Sequence, residues 1–203
     1  MSSNYEKAVR FEKPSYIPMR FSFNDSCWHH YPQEQLFDLI EEHKLLFPDF
    51  VRPTGKHIPS YGAVARKDEP YTDDFGCVWV TADDGITGTV IKHPLKDWDN
   101  FRTYLPPDPA TCMGIGPIDW NAVETEIRSA KKNGGFVQGG LRHGHTFLQL
   151  SDLRGYENIL MDMADEEEKL FELIDMVEQF NMFIVKKYIS LGVDQFNYPE
   201  DLG

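Results

Sequence analysis

The stretch EEEKLFELIDMVEQFNMFIVKKYISLGVDQFNY (166–198) decides the fold. Its apolar residues Leu170, Leu173, Ile174, Val177, Phe180, Ile184, Tyr188 and Leu191 recur at helical spacing and mark one long amphipathic helix. Three glutamates open it and two lysines lie near its end, the order the helix dipole favours. Gly192 is the natural stop, and VDQFNY (193–198) returns as a strand. Upstream, GFVQGGL (135–141) reads as a glycine-rich strand, and GYENILMDMA (155–164) as a short helix. Strand, helix, strand is a βαβ crossover, which joins parallel strands.

The same order is expected nearer the N-terminus. YIPMRFSF (16–23) reads as a strand and QEQLFDLIEEHKLLF (33–47) as a helix with Leu36, Leu39, Ile40 and Leu46 on its apolar face. A short strand is expected at FVRPTG (50–55). FGCVWVTADDGITGTVIKHPL (75–95) is a hairpin pattern, two β-rich runs around Asp83-Asp84-Gly85. LKDWDNFRTYLPPDP (95–109) predicts a short helix. IDWNAVETEIRSAKKNGG (118–135) predicts another, capped by Asp119, striped by Val123, Ile127 and Ala130, and ended at Gly134. Helices that repeatedly follow strands give an α/β class.

Composition narrows the function. The chain has 203 residues, 41% hydrophobic and 13% aromatic, enough for a packed core. Its 20 Lys and Arg stand against 33 Asp and Glu, a net charge of −13, which disfavours nucleic acid as a partner. No apolar run has the length of a membrane span, and residues 1–16 lack the apolar core of a signal peptide. Three widely spaced cysteines, Cys27, Cys77 and Cys112, point to a reducing cytoplasm.

In α/β sheets and barrels, chemistry gathers at the carboxyl ends of the strands. Three polar clusters fall there: Asn24 and Asp25 with Ser26, Cys27, His29 and His30; then Arg142, His143 and His145; then Glu200 and Asp201. Parallel strands would bring them to one face. His143 and His145 flank Gly144, so they can also face opposite ways. Arg142 is equally suited to a structural ion pair with Glu200 or Asp201. Cys27 and His29 have a spacing a metal can use, but no second dyad follows, so no metal ligands are assigned. Asp73-Asp74 and Asp83-Asp84 look like paired carboxylates, the latter better explained by turn chemistry.

Taken in order, several segments resemble the uroporphyrinogen decarboxylase superfamily. RFEKPSYIPMRF (10–21) is similar to its lead into the first barrel strand. TDDFGCVWV (72–80) resembles a hairpin of its divergent members, and HPLKDWDNFRTYLPPDP (93–109) the segment that follows. LRGYENILMDMADEEEKLFELID (153–175) resembles its paired helices, and YPEDLG (198–203) the turn at a central strand end. The resemblance covers most of the chain. It implies a (β/α)8 TIM barrel, of which residues 1–203 supply roughly the N-terminal half, about four of eight strands. A half barrel leaves open strand edges, so the expectation is a truncated domain with exposed apolar surface and a weakly cooperative melt.

The resemblance further implies an enzyme acting on a tetrapyrrole-type ligand. One branch decarboxylates uroporphyrinogen without a cofactor, in porphyrin biosynthesis; the other transfers methyl groups to or from corrinoids, often with zinc. In that frame His143 and Asp201 are the expected catalytic pair, and Arg142, His145, Glu200, Asn24 and Asp25 bind substrate. The decarboxylase signature has a second arginine after the first strand. Here Met19-Arg20 is followed by Phe-Ser-Phe, which tips the reading towards corrinoid-dependent methyl transfer with a corrinoid protein as partner. No cofactor ligands are expected within the segment, corrinoid and zinc belonging to a longer protein. The rivals are a non-catalytic tetrapyrrole or small-ligand binder, and an α/β domain completed by a partner chain.

Overall fold

The computed structural model describes residues 4–19, 21–48 and 50–201. The chain divides into two compact units, residues 1–68 with 81–87, and residues 69–80 with 88–203.

The first unit contains α1 (Asn4–Val9), α2 (Asp25–His30), α3 (Gln33–Glu42) and a 3-10 turn at Ala63–Ala65. Helix α3 buries Leu36 and Ile40 of the expected face together with Phe37, but ends at Glu42 and leaves Leu39 and Leu45 exposed. Trp28 packs on Phe37 and on His57, with ring centroids 5.1 and 4.9 Å apart. Arg52 reaches Glu34, Asp38 and Glu41 at 2.6, 2.8 and 2.8 Å, three carboxylates stacked along one face of α3.

The strand expected at 16–23 is not formed among the described residues, Arg20 lying outside them. Tyr16, Ile17, Met19 and Phe21 are exposed instead. An apolar run becomes a strand only when a second strand pairs with it, and Pro14 and Pro18 each remove a ladder donor. The short strand expected at 50–55 is absent for the same lack of a partner.

The second unit holds β1 (Tyr71–Thr72), β2 (Val78–Val80), β3 (Thr89–Lys92), a 3-10 helix at Trp98–Thr103, α4 (Trp120–Lys132), β4 (Gln138–Gly140), α5 (Phe147–Arg154), α6 (Tyr156–Ala164), α7 (Glu168–Leu191) and β5 (Gln195–Asn197). The hairpin forms: β2 pairs antiparallel with β3, and β1 adds a third strand the sequence did not announce. Asp119 caps α4 through the Asn121 and Ala122 amides. Strands β4 and β5 are parallel, with Gln138, Gly139 and Gly140 opposite Gln195, Phe196 and Asn197. The βαβ unit read from residues 135–198 is therefore present.

Helix α7 buries Leu170, Leu173, Val177, Phe180, Ile184 and Val185. With Leu95, Leu153 and Ile159 they form a core in which α5, α6 and α7 pack together, Leu95 coming from the segment after β3. Tyr188 continues that face over β4 and meets Trp120 and Phe196 edge to face at 5.2 and 5.8 Å. The fold is mixed α/β. Among the described residues its sheets have three and two strands, and neither closes into a barrel.

Candidate functional site at the β4–β5 carboxyl ends

Beyond the last paired residues the two parallel strands stay tied. The Leu141 amide donates to Asn197 O and the Gly144 amide to Pro199 O, both at 3.1 Å. Gly144 has φ +70°, a left-handed conformation in which a Cβ would lie 2.9 Å from Leu148. This turn separates the two histidines. His143 projects to solvent, and its Nε2 lies 2.8 Å from Asp201 Oδ1, the side chains being 59% and 64% exposed. An imidazole held at Nε2 by a carboxylate presents Nδ1 as its free nitrogen.

Glu200 turns back on the backbone. Its Oε2 accepts from the Thr146 amide at 2.8 Å, and its Oε1 from the Asp201 amide at 3.2 Å. The carboxylate thereby caps α5 and fixes the turn that carries Asp201.

His145 faces the helices and is 9% exposed. Its Nδ1 is 2.6 Å from Thr146 Oγ1, its carbonyl accepts from Asn181 Nδ2 at 2.7 Å, and its Nε2 is buried with no partner. Burial pushes its pKa below the usual 6.5, outweighing the opposing pull of Glu200. It lines a cavity of about 270 Å³ between α5, α7 and Tyr198.

Arg142 turns inward, and its ion-pair partner is Asp152. Its Nη2 donates to Gln149 Oε1 and lies 3.6 Å from Asp152 Oδ2. Burial pushes the Asp152 carboxyl up to about 6, against the lowering effect of Arg142. The Asp152 carbonyl accepts from His93 Nδ1 at 2.8 Å and from Cys77 Sγ at 3.3 Å. Asp73 adjoins this group, accepting from the Cys77 amide and from Trp79 Nε1, each at 2.8 Å. Burial raises the Cys77 thiol well above its ordinary value, so it stays protonated and is no nucleophile. Asp74 points elsewhere, accepting from the Gly116 amide at 2.7 Å, so Asp73 and Asp74 are not a catalytic carboxylate pair.

The third expected cluster lies in the other unit. Asn24 caps α2 by accepting from the Cys27 amide at 2.9 Å, and Asp25 Oδ1 is 3.4 Å from His57 Nε2. The structure thus brings together the residues after β4 and after β5. Asn24 and Asp25 have local roles, and the strand meant to deliver them does not form.

Sequence reasoning missed Asp152, Gln149, His93 and Asp73 as one polar group, of which Gln149 and Asp73 are buried and Asp152 and His93 half-buried. Asp73 was visible only as half of an acidic pair; Gln149 and Asp152 lie on α5, which carries no apolar stripe. Among the described residues no three His, Cys, Asp or Glu side chains are grouped to hold a metal ion. Among the described residues no helix is long and apolar enough to cross a membrane. No family model, curated protein or solved structure matches this chain.

Proposed function

We propose that the chain is an enzyme of the uroporphyrinogen decarboxylase type, built on the βαβ plan of a TIM barrel and reacting at the carboxyl ends of β4 and β5. The observation that carries the reading is the exposed His143–Asp201 pair at 2.8 Å, held where parallel α/β sheets present their chemistry. The sequence resemblance supplies the substrate class, a tetrapyrrole-type ligand.

His143 is the proton-transfer group, and Asp201 orients it and stabilises its charged form. Arg142 holds the strand end rigid through Gln149 and Asp152. Glu200 fixes the turn. In a decarboxylation the electron pair of the broken C–CO2 bond stays on carbon, which then takes a proton from His143. In a methyl transfer the methyl group would pass to the reduced corrinoid of the partner protein, and the pair of the broken bond would stay on the donor heteroatom, which takes that proton instead. Methyl transfer is the first reading, with the corrinoid brought by a partner corrinoid protein. It is favoured because Arg142, the one arginine of the strand-end cluster, is engaged inside the fold, and a substrate with many carboxylates needs free cations.

The test incubates the full chain with cob(I)alamin and a methylated amine as methyl donor and, separately, with uroporphyrinogen. Corrinoid methylation is followed by absorbance and released carbon dioxide is trapped. Methylation that falls at least tenfold in His143→Ala and Asp201→Asn is the expected result. Carbon dioxide release with the same dependence selects decarboxylation. Tetrapyrrole binding with no turnover, unaltered by either substitution, overturns the enzymatic reading and leaves a binding protein.

A further inference from the structure

Helix α6 is held to the fold by its polar side. Asp162 is buried, accepts from the buried Arg154 guanidinium at 2.7 and 3.2 Å, and accepts again from Trp98 Nε1 at 3.2 Å. Of the helix's large apolar residues only Ile159 is buried beside it. This anchoring turns the others outward, the reverse of an ordinary surface helix. Tyr156, Leu160 and Met163 are 58%, 43% and 50% exposed, and their i, i+4, i+7 spacing puts them on one face. The Tyr156 ring meets Phe147 of α5 edge to face at 6.2 Å, which extends the stripe towards α5.

Single exposed apolar side chains are ordinary, but an apolar stripe rimmed by charge marks a contact surface. Here the rim has one sign. Every exposed charged residue from 156 to 175 is acidic: Glu157, Asp165, Glu166, Glu168, Glu172 and Asp175. Lys169 is half-buried with its ammonium 5.9 Å from the Trp98 ring centroid, and Arg154 is committed to Asp162. We propose that the outer face of α6 is a docking surface for a protein partner, one that presents an amphipathic helix with Lys or Arg beside its apolar stripe.

The sign of the charge selects that occupant. A second copy of this chain would set the same carboxylates against themselves across a two-fold contact. An anionic bilayer would be repelled likewise. A basic helix is attracted by the rim, and its apolar ridge packs along Tyr156, Leu160 and Met163. Methionine suits such a face, because its unbranched, polarisable side chain adapts to what it meets.

The experiment titrates the full chain with a peptide of about 14 residues, roughly four turns of helix, with Leu on one face and Lys on the other. A scrambled peptide of the same composition keeps the charge and loses the stripe. Binding is followed by fluorescence anisotropy of the labelled peptide and by the backbone amide resonances of the protein. The striped peptide is expected to saturate at one per chain, to shift the amides of α6, and to bind at least about tenfold more tightly than the scrambled one. Leu160→Ser with Met163→Ser should erase that preference, while Leu105→Ser, at a residue 86% exposed elsewhere, should leave it intact. No saturable binding, equal affinity for the two peptides, unmoved α6 amides, or an unaffected double variant would overturn the proposal. So would binding to phosphatidylserine vesicles, or a concentration-dependent dimer, that the double variant abolishes. Should the double variant fail to fold, the comparison of the two peptides on the wild type and its amide shifts still decide. The outcome is independent of turnover at His143.

Discussion

Gly139 lies directly under the ring of Tyr188: a Cβ at position 139 would come within 2.7 Å of the ring Cδ1 and 2.8 Å of Cγ. The glycine-rich character of β4 thus has a packing cause, the close approach of α7 to the strand. Gly139→Ala should destabilise the protein by about 1–3 kcal/mol through overpacking. Combined with Tyr188→Leu the cost should be less than additive, because the clash is shared. Urea midpoints of the single and double variants measure both effects.

Arg154 and Asp162 form a buried pair, with Nε to Oδ2 at 2.7 Å and Nη2 to Oδ1 at 3.2 Å. Arg154 also donates to the Leu95 and Lys96 carbonyls and stacks on Trp98 with 4.3 Å to the ring centroid. Asp162→Ala should cost about 3–5 kcal/mol, since it strands a buried cation. Replacing both partners, as Arg154→Met with Asp162→Leu, should cost less than the single change. Thermal unfolding of the three variants tests the order.

The Asp152 carboxyl has a folded pKa of about 6, above its ordinary 3.8. Between those values the folded state binds the proton more strongly than the unfolded state. Stability from this group is therefore fully present at low pH and is lost as pH rises from about 4 to about 6. Asp152→Asn removes that slope. The stability difference between variant and wild type should accordingly change by on the order of 3 kcal/mol across the window and stay flat above it. Denaturation curves from pH 3.5 to 7.5 follow it.

His145 has the opposite sign. Burial lowers its pKa, so its neutral form is favoured on folding and its contribution is present above pH 6.5 and lost as pH falls below that value. His145→Phe should flatten the acid side of the stability profile in the same series of curves.

Asp73 anchors the hairpin through the Cys77 amide and the Trp79 indole. Asp73→Ala leaves both donors buried and unpaired and should cost about 2–4 kcal/mol. Asp73→Asn keeps an acceptor and should cost less. Chemical denaturation followed by tryptophan fluorescence reports both.

How far the sequence foretold this structure depended on whether a signal was local. The stripe on α7, the cap at Asp119 and the glycine-rich β4 are written in neighbouring residues, and the parallel pairing of β4 with β5 follows from them. Helix α5 was not legible: Gln149, Leu150, Ser151, Leu153 and Arg154 are all buried, so it is covered on several sides and shows no periodicity. The run at 16–23 misled because apolar composition says nothing about whether a pairing partner exists. At the site, the turn at Gly144 left room for two outward or opposed histidines, and only the Thr146 and Asn181 contacts fix His145 inward. The pairing of Arg142 with Asp152, where the alternative reading had offered Glu200 or Asp201, was not visible because Asp152 lies on the helix that went unread.

The β4–β5 ladder joins residues as far apart as Gln138 and Gln195, 57 positions along the chain. Closing a loop of that length carries an entropic cost that grows with its logarithm, and contacts of this kind are made late in folding. Helix α7 makes 24 of those intervening residues a rod, which shortens the flexible loop that has to be closed. Changes that weaken α7 should therefore slow the arrival of β5. His143 and Asp201, which meet beyond that last ladder rung, depend on this long-range closure for their approach.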